Sequence, residues 1–557
     1  MMDYRCRVFL RLIGIALAIL GCSSAIAEFQ SPAPPNILVI LLDDVGFSDL
    51  GAYGSEIRTP NIDRIASRGV SFGDFHVSMT CSPTRAMLLS GIDNHLVGLG
   101  NMATMASSNQ KGQAGYEGYL TDSVETIASQ LQRGGYKTYM TGKWHLGFDE
   151  KHQPHSRGFD RSFALLNAGA SQFSDMRGLI EYRPKATYVD DGKVVESLPS
   201  DFHTSEYFAS KLIEFIEQDR ESKTPFFAYF SPTATHWPYQ LPDRYLDLYE
   251  GVYDAGYDVL RQQRFAAVRE NGLVSKYPDA FSRLDGVTAW ESLSAEEQRT
   301  EARKMELYAA SLEHLDLQIG RLLDALQELE QLQNTVIFVL SDNGPEGNDR
   351  SRVATNKEWL PRAWDLSYEN MGKRDSYVYY GAGWAQASAA PFWLFKAFAG
   401  EGGIRVPLIV SLPGGERAGD KEESFATVLD IVPTIRQLAA IGQQPEPGSS
   451  PATSGASLLP VLQKSAESVH GENYRHGWEL FGHRALRKGR WKLLRLEGDQ
   501  GTGNWQLFDI ANDPGEANDL AATNPEKVLE LKEYWDEYVQ QNNVILPDSN
   551  QQKAFGF

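Results

Sequence analysis

The sequence predicts an α/β fold: a large mixed, mostly parallel sheet flanked by helices, then a smaller C-terminal antiparallel sheet with one helix. Continuous apolar runs, Asn36 to Leu42 foremost, read as strands buried on both faces. Segments with helical spacing alternate with those runs. After about residue 465 the texture changes to closely spaced strands.

Taken in order, the run Asn36 to Leu42 stops abruptly at Asp43-Asp44. Ser123 to Arg133 has Val124, Ile127, Ala128 and Leu131 at helical spacing. Tyr136 to Met140 is a second strand, opening into Gly142-Lys143-Trp144-His145. Pro225 to Phe230 is a third, opening into Thr235-His236-Trp237-Pro238. Residues 240–300 form an aromatic and charged insertion with little periodicity. Its tyrosines, together with Tyr239 just before it, namely Tyr239, Tyr245, Tyr249, Tyr253 and Tyr257, suit either an apolar pocket wall or any half-buried surface. Met305 to Leu329 is a long periodic helix, and Asn334 to Leu340 is a fourth strand, ending in Asp342-Asn343-Gly344. Residues 440–456, rich in Gly, Gln, Pro and Ser, read as a surface loop. Arg484 to Leu496 and Trp505 to Ile510 read as antiparallel strands, and Pro525 to Tyr538 as a closing amphipathic helix.

The chain has 557 residues, 42% hydrophobic and 23% charged, an ordinary globular balance that excludes a disordered or collagen-like chain. A formal net charge of −20 argues against nucleic acid as a partner, because phosphate binding needs a basic face. Arg5, Arg7 and Arg11 precede or flank the apolar run Val8 to Leu20, and Ala25-Ile26-Ala27 follows. This reads as a secretory leader over residues 1–27, too short for a membrane span. A rival reading is a lipobox, Ile19-Leu20-Gly21-Cys22, with a lipid anchor at Cys22. Both make the mature protein an exported one, periplasmic or secreted. The expected organisation is that leader, a main body over residues 28–464 and an α+β unit over residues 465–557. Of the three cysteines, only Cys81 survives processing on both readings, so there is no disulfide framework.

In open α/β sheets, ligands bind beyond the carboxyl ends of the strands. Here four strand exits carry Asp-Asp, Lys-x-His, His and Asp-Asn. Each alone fits ordinary loop chemistry, since Asp and Asn favour turns. The four together point to one convergent site. Asp43, Asp44, Asp342 and Asn343 offer only oxygen ligands, which suit a hard cation, Ca²⁺ or Mg²⁺.

The motif Cys81-Ser82-Pro83-Thr84-Arg85, with Leu89-Ser90-Gly91 downstream, resembles the signature of the sulfatase family, C-x-P-x-R. The resemblance extends over roughly residues 36–545. It takes in the Asp-Asp exit, Gly142 to Gly147, Ser341 to Gly344, Glu401 to Pro407, and Leu507-Phe508-Asp509 with Asp513-Pro514. It is strongest to the bacterial arylsulfatase group and implies the fold of the alkaline phosphatase superfamily. It further implies that a formylglycine-generating enzyme converts Cys81 to formylglycine, whose hydrate attacks sulfur. Elimination then frees the sulfate, a route closed to serine. The metal so implied is one Ca²⁺, held by Asp43, Asp44, residue 81, Asp342 and Asn343. By the same resemblance Arg85 holds the nucleophile, Lys143 contacts nucleophile and sulfate, and His145 is the base. His236 and Lys396 bind sulfate and assist the leaving oxygen. His95, near the signature, reads as structural. The expected activity is hydrolysis of sulfate monoesters, aryl, alkyl or carbohydrate, with aryl sulfates favoured. The alternatives are a phosphodiesterase or phosphonate monoester hydrolase using the same formylglycine, and a non-catalytic binder of sulfated glycans with an unmodified Cys81.

Overall fold

A computed structural model describes residues 34–274, 283–353, 356–415, 417–442 and 454–548. The expected leader, the Cys22 lipobox and most of the 440–456 loop lie outside the described residues. Four strands form the centre of a ten-stranded mixed sheet: β1 (Asn36–Leu42), β2 (Lys137–Lys143), β3 (Phe226–Ser231) and β4 (Thr335–Ser341). Their spatial order is β4-β1-β3-β2, and all are mutually parallel. These are the four runs expected from the sequence. Their continuous apolarity has a direct cause, because successive side chains of a strand point to opposite faces and both faces here are covered. Leu38, Ile40 and Leu42 join one core, and Ile37, Val39 and Leu41 join another.

The second core is closed by α1 (Cys81–Ser90) and α2 (Ile127–Arg133), through Met87, Leu88, Ile127 and Leu131. The first is closed by α3 (Thr204–Gln218) and α4 (Ala295–Glu328), through Phe208, Leu212, Leu315 and Leu322. Helix α4 starts ten residues before the apolar periodicity does, at a capping box between Ser294 and Glu297. Its first turns are held by capping rather than by burial. Beyond β4 the sheet continues antiparallel through Leu408–Ser411, and beyond β2 it continues parallel through Arg161–Leu165.

The insertion is more ordered than its sequence suggests, since Tyr257–Asn271 is a helix. Its buried stripe is Tyr257, Leu260, Arg264 and Val268, so one position of the stripe is an arginine. Arg264 is paired there with Asp49 and, at 2.8 Å, with Glu56. A charge on the buried face hides the helical period from a hydropathy reading. Tyr239, Tyr249, Tyr253 and Tyr257 are buried in the main core.

The C-terminal antiparallel sheet has four strands, β5 (Arg475–Leu480), β6 (His483–Lys488), β7 (Trp491–Arg495) and β8 (Gln506–Asp509). Helix α5 (Pro525–Gln541) packs on it through Leu531 and Trp535. Sheet and main body share buried charges. Lys492 Nζ lies 2.8 Å from Glu401 and 2.7 Å from Glu516, with all three side chains fully enclosed. Arg487 forks onto Asp74 at 2.8 and 2.6 Å. Burial pushes the Glu516 carboxyl up to about 7. Burial acts the same way on Glu401, but Lys492 and His76 outweigh it and hold that carboxyl well below the usual range. His95 is enclosed between Asp93, at 2.8 Å, and Glu479 of β5, at 3.3 Å, which is the structural role expected of it.

Removing one member of a buried ion pair leaves its partner uncompensated. Lys492→Met should therefore destabilise the fold by about 3–5 kcal/mol, read as a lowered denaturation midpoint. An unchanged midpoint would mean that the two sheets are not joined through this cation.

Candidate active site

The geometry of the sheet assembles the site. Leu42 is paired with Ser341, so Asp43 and Asp342 leave the sheet at the same level on adjacent strands. Ser231 is paired with Gly142, which brings Lys143 to the same edge. That edge is tightly packed, because a side chain at Gly142 would meet the Ser231 carbonyl at 1.9 Å. A side chain at Gly344 would likewise meet the Gly402 carbonyl at 1.9 Å, which explains why the Asp342-Asn343 exit and the Glu401-Gly402-Gly403 turn are both glycine-rich.

Cys81 is the first residue of α1, fully buried, at the helix end where unpaired N–H groups face the site. One turn on, Arg85 binds three strands at once. Its Nε and Nη2 donate to Asp342 at 3.0 and 2.8 Å, and its Nη1 donates to the Lys143 carbonyl at 2.9 Å and to Ser231 Oγ. Lys143 Nζ donates to both oxygens of Asp43, at 3.0 and 2.7 Å. Lys396 Nζ does the same to Asp44, at 2.7 and 2.9 Å. The loop bearing Lys396 is fixed by two backbone bonds, Lys396 N–H to the Pro345 carbonyl and Ala397 N–H to the Met79 carbonyl. His236 Nε2 lies 3.9 Å from Asp44, and His236 Nδ1 lies 2.7 Å from the Trp237 carbonyl.

Ligand atoms of Asp43, Asp44, Cys81 and Asp342 all lie within 4.8 Å of one another. Asn343 donates through Nδ2 to Asp44 at 2.7 Å, while its Oδ1 is buried without a hydrogen-bond partner. Burial, with the Asp342 charge, raises the Asp43 carboxyl to about 7 despite Lys143 and Arg85. Burial likewise raises Asp44 against the pull of Lys396. Two aspartates are thus raised even beside ammonium groups. Burial outweighs the neighbouring cations at both carboxyls, and an all-oxygen donor set with one idle carbonyl oxygen fits a hard divalent cation. Burial also raises the Cys81 thiol, with Asp342 adding to it, so an unmodified sulfur here is a poor nucleophile.

His145 opens onto the same place, with Nδ1 unpartnered. Burial and the charges of Lys143, Arg85 and Lys396 hold its imidazole well below the ordinary histidine range. Burial, Lys143 and Lys396 do the same to His236. Asp44 and His145 both adopt left-handed backbone, at φ 64° and 56°, a strain that side chains tolerate where the surroundings fix them.

All ten residues expected from the sequence are therefore together. A cleft of about 560 Å³ leads in, with Cys81, His145, His236 and Lys396 in its lining. Its apolar wall comes from Met102, Met105, Phe148, Leu179, Ile180 and Trp237. None of the five tyrosines considered above contributes to it. Sequence reasoning missed Ser231, which takes a bond from Arg85, and Glu346, a buried carboxylate 3.3 Å from Lys396. Ser231 is the last residue of a strand, the position at which the other exits begin. Glu346 follows Asp342 by four residues, and nothing in the pattern marks it.

Four parallel strand ends thus converge on a buried, cation-fitting cluster beside a helix N-terminus. Comparison with known proteins makes this specific. The sulfatase profile matches residues 35–441, and a profile described as N-sulphoglucosamine sulphohydrolase, C-terminal, matches residues 392–541. An uncharacterised sulfatase of Schizosaccharomyces pombe is 41% identical, over 92% of this chain and 94% of its own. An arylsulfatase of Klebsiella aerogenes is 35% identical, over 79% of this chain and 93% of its own. Among solved structures, Ps i-CgsB in complex with k-i-k-neocarrahexaose superposes with a TM-score of 0.67 at 23% identity, covering 93% of this chain and 96% of that one. The chain belongs to the sulfatase family and is a sulfuric ester hydrolase. Among the described residues no helix is long and apolar enough to cross a membrane.

Lys143 is fully buried and donates to both oxygens of Asp43. Lys143→Ala should lower kcat for sulfate ester hydrolysis by roughly 100–1000-fold, the cost of losing one preorganised charge donor. A circular dichroism spectrum should stay unchanged. A loss under ten-fold would remove Lys143 from the machinery.

Proposed function

We propose that the protein hydrolyses sulfate monoesters, aryl sulfates foremost, to phenol or alcohol plus sulfate. The reading includes a formylglycine made from Cys81 by a separate generating enzyme, and one Ca²⁺ held by Asp43, Asp44, residue 81, Asp342 and Asn343. The observation that carries it is the gathering of Cys81 with three aspartates, with the idle Asn343 Oδ1 in the adjoining strand exit. The apolar cleft wall and the likeness to an arylsulfatase favour an aryl leaving group. An exported location belongs to the same proposal and rests on the leader over residues 1–27.

When present, the formylglycine supplies an oxygen nucleophile and the calcium a Lewis acid. The rest falls to the chain's own side chains. Arg85, fixed on Asp342, holds positive charge beside residue 81 as negative charge develops there. Lys143 and Lys396 offer ammonium groups to the sulfate oxygens from two sides. His145 is unprotonated at neutral pH and can take a proton from the residue 81 side chain. His236, whose Nδ1–H is committed to the Trp237 carbonyl, presents Nε2 to the leaving side. An incoming anion raises the proton affinity of that nitrogen, which lets it carry a proton to the departing oxygen.

The test compares turnover of 4-nitrophenyl sulfate with that of bis(4-nitrophenyl) phosphate, before and after chelation. The sulfate should turn over faster, and EGTA treatment should abolish turnover until Ca²⁺ is restored. Faster phosphodiester cleavage would move the protein to the phosphodiesterase or phosphonate hydrolase reading. Stoichiometric binding without product would make it a binder of sulfated glycans.

A further inference from the structure

One cation in the lining of the cleft is exposed and has no carboxylate partner among the described residues. Deep in the site each cation is matched: Arg85 to Asp342 at 2.8 Å, Lys143 to Asp43 at 2.7 Å and Lys396 to Asp44 at 2.7 Å. Arg350, half-buried and stacked on Trp237, also has no carboxylate within 4.0 Å among the described residues, but its charge acts on the buried carboxylate of Glu346. Arg183 differs. It lines the cleft, is exposed to solvent, and among the described residues has no carboxylate within 4.0 Å. Its neighbour Glu181 is the obvious candidate partner, but Glu181 is taken up by Arg362 at 3.5 Å.

Arg183 is nevertheless held in place. Its guanidinium carbon stacks over the Phe148 ring at 4.1 Å from the centroid, and its backbone lies in a two-stranded hairpin, Arg177–Ile180 with Arg183–Lys185. A stacked guanidinium keeps its N–H edge free for a planar anion. Phe148, Leu179 and Ile180, which flank it, belong to the apolar wall that takes the leaving group. Its charge also reaches His145, where it is one of the groups that push the imidazole down. A cation so placed lines the cleft beside its apolar wall and makes no contact with Asp43, Asp44 or Asp342, the carboxylates that hold Lys143, Lys396 and Arg85.

We propose that Arg183 is a specificity residue that binds a second anionic group, a carboxylate or another sulfate, carried on the leaving group of the substrate. This rests on the sulfatase reading of the site and names its substrate class: sulfate esters whose apolar or ring-shaped alcohol bears a further negative charge. For a chain of net charge −20, recruiting a doubly charged substrate requires such a local cation.

The test uses two aryl sulfates differing only in that charge, 4-sulfooxybenzoate and its methyl ester. Binding is measured by calorimetry on full-length Cys81→Ser protein, with and without Arg183→Ala. Loss of Arg183 should weaken 4-sulfooxybenzoate about ten-fold, the size of one charge-assisted hydrogen bond, and leave the methyl ester within two-fold. Arg183→Lys should recover part of the loss. Equal weakening of both probes, no change in either, or no binding of either would overturn the proposal. Failure of otherwise active wild-type protein to turn over any aryl sulfate would instead count against the aryl reading, while the binding comparison still decides the role of Arg183.

Discussion

One guanidinium closes the carboxyl edge of the sheet. Arg85 is fully buried and is bonded to Asp342 beyond β4, to the carbonyl of Lys143 at the end of β2 and to Ser231 at the end of β3. Three strands remote in sequence are thereby held in register at the place where three aspartates must coexist. Carboxylates so close repel one another, and burial removes the water that would screen them. The fold answers with Arg85 from α1, Lys143 from a strand and Lys396 from a loop. Even beside these cations, burial raises the carboxyls of Asp43 and Asp44. A site so charged is suited to bind a divalent cation and, through its ammonium groups, an anionic ester beside it.

The C-terminal sheet serves this arrangement at one remove. Lys492 of β7 reaches through to Glu401, whose turn packs against Gly344 and so against the Asp342-Asn343 exit. A strand of the small sheet therefore braces the loop that shapes the metal-fitting cluster. The two profiles that match the chain overlap over residues 392–441, the stretch containing Glu401.

The central strands and their exits were legible because each is a continuous apolar run cut off by a charged or amide residue, and all four proved adjacent and parallel. Asp43, Asp44, Lys143, His145, His236, Asp342 and Asn343 were legible for the same reason, whereas Cys81, Arg85 and Lys396 rested on resemblance to a family's motifs. Other parts were hidden for identifiable causes. The helix Tyr257–Asn271 keeps a buried stripe, but Arg264 occupies one of its positions and masks the period. The start of α4 depends on a capping box rather than on apolar spacing. The cleft wall draws Met102, Phe148, Leu179 and Trp237 from four separate loops and hairpins, and no local pattern announces such a convergence. Glu346 and Arg183 take their meaning only from what lies, or fails to lie, beside them in space.

The nucleophile is the point on which everything else turns. An unmodified Cys81 thiol, raised by burial and by Asp342, is chemically idle in this setting. The decisive measurement is the mass of the peptide bearing residue 81, from protein purified out of its own host. A peptide lighter by the difference between a thiol and an aldehyde is expected. An intact thiol, in a host shown to make formylglycine elsewhere, would contradict the proposed chemistry and leave a protein that binds sulfate esters without cleaving them.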